Sequence, residues 1–343
     1  MEIIPGITLD DQEAIVPIIE IKTLKGKNYG EIVFMGDFHL GSGDFSLGQY
    51  LQYVKYLLGH PEMKVVGMGD YLEMGSLARF ESSEKLKPQI QLLDVVRILE
   101  PIKDRIILLL EGNHEERFWG ASKGADTLTK SIADALRITP LMPGPERGQL
   151  FVVKVTDGKE ARYYSIYAMH GSSGAVANKS YQLSKIFGNI HTSLAVHGHN
   201  HQIFRDHRTY YGVAKVNNKF CLTCHEQHWL TTGCFVKNLG YAEKKSYPVS
   251  KIGAPIVRFY TDKEALEIID DPRVTYGIGS EPSSLSDLKD KVGIEGLDLD
   301  KYERSYGFGS TETISRGKKW MEVNMDEVQG NQTAKKKSRT KDN

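Results

Sequence analysis

Three times in the first third of the chain, a short apolar run stops abruptly at a glycine followed by metal-binding side-chain types. IVFM (32–35) runs into Gly36, Asp37, Phe38 and His39; KVVGM (64–68) into Gly69 and Asp70; and IILLL (106–110) into Gly112, Asn113 and His114. Apolar runs this short, bounded by turn residues, read as buried strands. Between them, LGQYLQYVKYLL (47–58) and the stretch Pro88 to Ile102 have helical spacing, the first closed by Gly59 and Pro61. Strand, helix, strand, helix, strand is the order of βαβ units with parallel strands, and such sheets gather their functional groups at the carboxyl ends of the strands.

The rest of the chain adds to that frame. Residues 12 to 24 and 31 to 35 are β-branched runs separated by the turn-rich KGKNYG, so two strands are expected before Asp37. LFVVKVTDGKEARYYSIYAMHG reads as a hairpin turning at Asp157 and Gly158, its second strand ending at His170. A helix is expected around Lys179 to Phe187. SLAVHGHNHQIF then supplies a strand ending in His197, His199 and His201, and strand-like pieces continue to about residue 260. From Thr261 the sequence turns acidic, glycine-rich and weakly periodic. The expected division is a catalytic domain over 1–270, a C-terminal extension over 271–325 and a disordered basic tail over 326–343.

Lys plus Arg and Asp plus Glu both number 44, so no overall field draws the protein to nucleic acid or to an acidic membrane. Any hold on nucleic acid must be local, and Lys335, Lys336, Lys337, Arg339 and Lys341 are the one basic cluster that offers it. No run approaches the roughly 20 apolar residues of a membrane span, and the opening residues lack the order of a secretory signal, so the expected compartment is the cytoplasm. Three cysteines, Cys221, Cys224 and Cys234, fit reduced thiols better than a disulfide framework.

Collected, the residues that follow the strands are Asp37, His39, Asp70, Asn113, His114, His170, His199 and His201. Carboxylates, imidazoles and one amide suit Mn, Fe, Ni or Zn rather than a thiolate-built structural zinc or an all-oxygen calcium site. They are too many for one ion. Two ions sharing a carboxylate would use them, and such a pair clamps the attacking and leaving oxygens of a phosphoryl transfer.

GDFHLG, GDYLEMG, GNHEER, the His170–Gly171 pair and GHNH, in that order over residues 31 to about 201, resemble the signature of the calcineurin-like metallophosphoesterases. TTGCFVKNLGYAEKKSYP further resembles a segment of phage and prokaryotic members. The resemblance implies a four-layer αββα sandwich holding two divalent ions, manganese first among them. Asp37, His39 and His201 would hold one ion, Asn113, His170 and His199 the other, and Asp70 would bridge them. A metal-bridging hydroxide would attack a phosphodiester or phosphomonoester, making the chain a phosphoric ester hydrolase. His114 would face the scissile phosphate and stabilise or protonate the leaving oxygen. Glu73 stands where the family's phosphatases carry an Asp that orients this histidine, and is one methylene longer. Their next residue, an arginine, is Met74 here, so substrate clamping must differ; Arg117 could reach a phosphate oxygen.

Two other readings compete. One is a DNA or RNA nuclease resembling the double-strand-break repair branch, whose DNA-capping region and helical tail would have to come from residues 262 to 320, where helical periodicity is poor. The other is an inactive metal-binding scaffold, which the complete ligand set opposes. The substrate, whether small, nucleotide-like or nucleic acid, and the oligomeric state are left open by the sequence.

A lone Asp or His after a strand is usually a turn or capping residue; five motifs in order outweigh that reading. His197 reads as a supporting or packing group beside the ligands, and Phe118 and Trp119 either line the site or anchor a helix. In CLTCHEQHW, the c-type haem pattern at Cys221 to His225 would need an exported protein. A small zinc site from Cys221, Cys224 and His225 or His228, with Cys234, is a second reading. Reduced cysteines in a loop near the rim of the site is the leading expectation.

Overall fold

In a computed structural model of the chain, the described residues are 16–73, 87–119, 127–143, 148–171, 179–216, 218–237, 252–278, 284–299 and 302. Two compact units divide at residue 297: Met1–Leu297 carries every element below, and Asp298–Asn343 lies almost wholly outside the described residues, as does the basic tail.

The two strands expected before Asp37 are present, but they belong to different sheets. The strand β1 (Ile18–Lys22) pairs in parallel with β5 (Gln149–Thr156), whereas β2 (Tyr29–Met35) is the centre of the second sheet. There β2 lies parallel to β3 (Lys64–Gly67), and β3 parallel to β4 (Ile106–Leu109). The helix α1 (Leu47–Leu58) links the first pair, and α2 (Pro88–Leu99), continued by a 3-10 turn over Glu100–Arg105, lies in the connection between the second, while α3 (Asn113–Trp119) and α4 (Leu128–Leu136) follow β4. This is the βαβ order read from the sequence. On the other side of β2, antiparallel β10 (Ile256–Tyr260) and β11 (Leu266–Ile269) complete a five-stranded sheet in the order β11-β10-β2-β3-β4.

The six-stranded sheet runs β1-β5-β6-β7-β9-β8, with β6 (Ala161–Met169), β7 (Leu194–His197), β8 (Phe204–Val216) and β9 (Lys219–Thr231). The β5–β6 hairpin turns at Asp157 and Gly158 as expected, and the Asp157 carboxylate accepts from the main-chain N–H groups of Lys159 and Glu160. The β6, β7 and β9 strands are mutually parallel. Thus β2, β3 and β4 in one sheet and β6 and β7 in the other each deliver a loop at the carboxyl end.

The sheets face one another across a single core. Ile32, Phe34, Val66, Met68, Leu108, Val257 and Phe259 come from one, and Phe151, Val153, Val155, Ile166, Ala168, Leu194, Val196 and Leu230 from the other. Along β5 alternate residues turn inward, the pattern of a strand with one covered face, whereas β2 is buried at almost every position because both its faces are covered. Outside the six-stranded sheet, Leu183 and Phe187 of α5 (Lys179–Phe187) pack on Ala195 and Trp229. Helix, sheet, sheet and helix make a four-layer αββα sandwich. Past residue 270, α6 (Pro272–Tyr276) and α7 (Leu285–Val292) follow, and Leu288 and Val292 of α7 are buried where it packs against α1.

Candidate metal centre

The parallel strand ends bring the Asp and His residues together, and the backbone is bent to do it. Seven non-glycine residues have positive φ among the described residues, and five of them are Asp37, His39, Asp70, His199 and His201. L-residues adopt this left-handed conformation at a cost of about 1–2 kcal/mol each, so its concentration here marks a site that the surrounding fold holds in place. Glycine makes the loops' close approach possible. A Cβ on Gly112 would lie 2.1 Å from the Asp70 nitrogen, and one on Gly171 would lie 2.1 Å from His197 Nε2.

Three triads of ligand atoms result, each within 4.8 Å of one another: Asp37, His39 and His201; His39, Asp70 and His114; and Asp70, His170 and His199. In the first, His39 Nε2 and His201 Nε2 stand 3.0 Å apart, and His201 Nε2 lies 3.3 Å from Asp37 Oδ1. That oxygen is buried and makes no well-aligned hydrogen bond. In the third, His170 Nε2 is 3.3 Å from Asp70 Oδ2 and 3.1 Å from Asn113 Oδ1. Asp70 Oδ2 is also 3.7 Å from His39 Nε2, so one carboxylate stands between the first and third triads.

The ring nitrogens are oriented for coordination. His39 Nδ1 donates to Glu73 Oε2 at 3.0 Å and His170 Nδ1 donates to the Met68 carbonyl at 2.7 Å, so that Nε2 of each ring is the atom turned into the site. The converging Nε2 atoms and the orphaned carboxylate oxygen fit a pair of divalent cations, and no thiolate enters any triad.

Charge points the same way. Burial alone would raise the Asp37 carboxyl, but the nearby His201 imidazolium outweighs it and holds the carboxyl below the usual range. Burial likewise works upward on Asp70, yet His170, His39 and His114 hold it well below the usual range. Burial works downward on His170, but Asp70 pushes it up to about 9. Burial, reinforced by His170, pushes His199 down to about 4. The two carboxylates held ionised beside these imidazoles are the charge that a pair of divalent cations would neutralise.

His114 sits at the first turn of α3 (Asn113–Trp119), its ring edge-on to that of His39 with centroids 4.6 Å apart. Its main-chain N–H donates to Asp70 Oδ1 at 2.9 Å. The sequence assigned His114 no metal, but its ligand atom belongs to the second triad. Glu73, expected to orient His114 through its carboxylate, meets it through the main-chain carbonyl, which accepts from His114 Nδ1, while the carboxylate faces His39. Met74 and the side chains of Arg117, Phe118 and Trp119 lie outside the described residues.

Glu115 is the residue the motifs did not single out. Its carboxylate is wholly buried and accepts from the N–H groups of Asp70 (2.9 Å), Leu72 (2.9 Å) and Gly112 (3.0 Å), tying the loop after β3 to the loop after β4. It is the first of two acidic residues in the first turn of α3, and nothing in the sequence tells it from Glu116, because its partners are main-chain N–H groups. His197, read as a supporting group, is buried, with Nδ1 at the Gly198 carbonyl and Asn200, and it packs against Gly171.

The cysteine string departs from expectation. CLTCHEQHW is part of strand β9, not a rim loop. Residues three apart on a strand point to opposite faces, so Cys221 and Cys224 cannot close on one ion with His225. His225 instead stacks on Tyr210 and pairs with Thr223 Oγ1. Cys234 lies elsewhere, buried against the His201 carbonyl.

No protein-family model and no curated protein matches the sequence. Among solved structures, the chain is similar to the calcineurin-like phosphoesterase YfkN from Bacillus subtilis, at 11% identity over 82% of this chain and 98% of that one, with a TM-score of 0.40. It is also similar to a Streptococcus pneumoniae protein described as a predicted phosphoesterase (12% identity, 71% and 98% covered, TM-score 0.30). The zinc complex of Vps29 from Entamoeba histolytica is comparable (13%, 69% and 96%, 0.30). Overlaps of this size carry no weight for the chemistry, which rests on the side chains themselves. Among the described residues, no helix is long and apolar enough to cross a membrane.

Proposed function

We propose that this chain is a dimetal phosphoesterase of the calcineurin-like superfamily, hydrolysing a phosphodiester or phosphomonoester. The observation that carries the reading is the pair of Asp/His triads joined by Asp70 at the carboxyl ends of parallel strands in both sheets. Asp37, His39 and His201 would hold one ion and Asn113, His170 and His199 the other, with Asp70 between. The mixed N and O donor set suits Mn, Fe, Ni or Zn, and the family resemblance puts Mn first among them. Bound there, two divalent ions supply a water of lowered pKa and neutralise charge on the phosphoryl group.

The protein's own part is to fix that geometry. Glu73 and the Met68 carbonyl set the tautomers of His39 and His170, and Glu115 holds the Asp70 loop. His114, with Nδ1 donating to the Glu73 carbonyl, keeps Nε2 for the substrate's leaving oxygen.

The test is metal analysis of the purified protein combined with turnover of an aryl phosphodiester, an aryl phosphomonoester and labelled DNA under Mn and under Mg. Two ions per chain with Mn-stimulated cleavage of an ester is expected. Two ions with no turnover of any of the three would instead identify a scaffold, and cleavage confined to DNA would identify a nuclease.

A further inference from the structure

The hairpin of β8 and β9 is longer than the sheet that supports it. Its strands pair over 13 residues each, from Phe204–Thr231 to Val216–Lys219, but β7 meets β9 only over His228–Thr231. Beyond that the hairpin is a two-stranded ribbon, an arrangement that is marginal in water without further packing.

Strand alternation says which side residues occupy. Leu230 points into the core between the sheets. Following the same face outward places Cys224, Leu222 and Phe220 on β9 beside Tyr211 and Val213 on β8, in the pairs Tyr211–Cys224 and Val213–Leu222. The face that is core-forming at its base thus continues past the second sheet, with Tyr211 73%, Val213 67%, Phe220 65% and Leu222 73% exposed. These are four of the twelve large hydrophobics exposed among the described residues, gathered on one side of one ribbon. The opposite side is anchored to the body: Arg208 donates to the Gly188 and Ile190 carbonyls, Gln227 to that of Ile190, and Tyr210 meets the His191 ring. That anchorage fixes which face is left uncovered.

We propose that this face is a homodimer interface, a second copy of the chain laying its own ribbon against it about a two-fold axis. The two cross-strand pairs carry no charge, and Lys215, the register partner of Phe220, is the one basic residue among these six positions, too little to follow a phosphate backbone. Its tip, at Asn218 and Lys219, is polar, so the apolar residues lie along the side of the ribbon and not where a hairpin would enter lipid. Aromatic and aliphatic side chains of this size expose roughly 500 Å² together, and two such patches bury roughly 1,000 Å², where specific interfaces begin. A patch centred on two apolar cross-strand pairs can be laid against its own copy, as a two-fold interface requires.

The test is sedimentation of the full chain at micromolar to tens of micromolar concentration, beside Val213→Glu/Leu222→Glu and a control, Tyr163→Glu, on an exposed residue of β6. The dimer is expected in the parent and the control, and the double variant is expected to dissociate at least ~100-fold more readily, because two carboxylates would be buried unpaired. Unchanged circular dichroism and ion content identify a folded variant. A parent that stays monomeric overturns the proposal, as does a dimer the double variant leaves intact. So does a monomer that binds liposomes through this face, which would assign the patch to lipid.

Discussion

Replacing Glu115 with alanine removes the acceptor for three main-chain N–H groups, those of Asp70, Leu72 and Gly112, at a side chain with no exposure to solvent. A buried donor left without a partner costs about 1–3 kcal/mol. Water entering the space left by the side chain recovers part of that, so a loss of about 3–6 kcal/mol is expected, a large share of the 5–15 kcal/mol that holds a typical domain. Glu115→Gln keeps one oxygen. Placed to accept from Asp70 and Gly112, it turns its amide N–H toward Leu72, and about half the loss is expected. Urea denaturation of the ion-free protein measures both. Asp70 is carried on the loop that Glu115 ties down, so ion affinity should also fall, by about 10–100-fold. A Glu115→Ala variant within about 1 kcal/mol of the parent would refute the role assigned to this carboxylate.

Asp70→Asn should weaken both ion sites; two tightly bound ions per chain in that variant would sink the bridging assignment. His114→Asn should keep its ions while losing about 10²- to 10⁴-fold in rate, most with poor leaving groups, which a series of aryl phosphates would register. Ion binding should also depend on pH. Asp70 raises His170 to about 9, so this imidazole carries a proton at neutrality that an ion must displace. Affinity should therefore climb about tenfold per pH unit toward 9 and level off above it; affinities equal at about pH 6 and pH 8 would contradict this. In the ion-free protein the sign is the reverse: the His170 proton stabilises the fold fully below the ordinary histidine value of 6.5, and that contribution is lost as pH rises through about 9.

Much of the sandwich was legible because its central strands are short, buried on both sides and ended by glycine. The helices over 47–58 and 179–187 follow the boundaries that spacing and breakers suggested. What could not be read was partnership. Nothing in the β1 sequence says that it crosses to β5 while β2 joins the other sheet, since both are β-branched runs of similar length. The cysteine string misled for a related reason. Its polar residues suggested a loop, but a two-stranded ribbon with little covering it can carry polar side chains on a regular strand, and the alternation then parts Cys221 from Cys224. Glu115 was hidden because its partners are main-chain N–H groups, which carry no sequence signal.

The Asp and His residues of the proposed ion sites were visible one motif at a time, but the energetic character of the site was not. Five left-handed Asp and His residues, two buried carboxylates and converging imidazole nitrogens are each costly in an ion-free fold. The protein meets the electrostatic part of that cost with protons on His170 and His201, the latter held well above its usual range by Cys234 and Asp37 against the pull of burial. The conformational part it meets by over-determining the loops: the Asp37 N–H donates to the Gly69 carbonyl, the His39 N–H to the Asp70 carbonyl and the His199 N–H to Asp37 Oδ2. Those bonds run between loops of different strands, so the geometry of each candidate ligand is tied to that of its neighbours, and a cation that binds there displaces the imidazole protons.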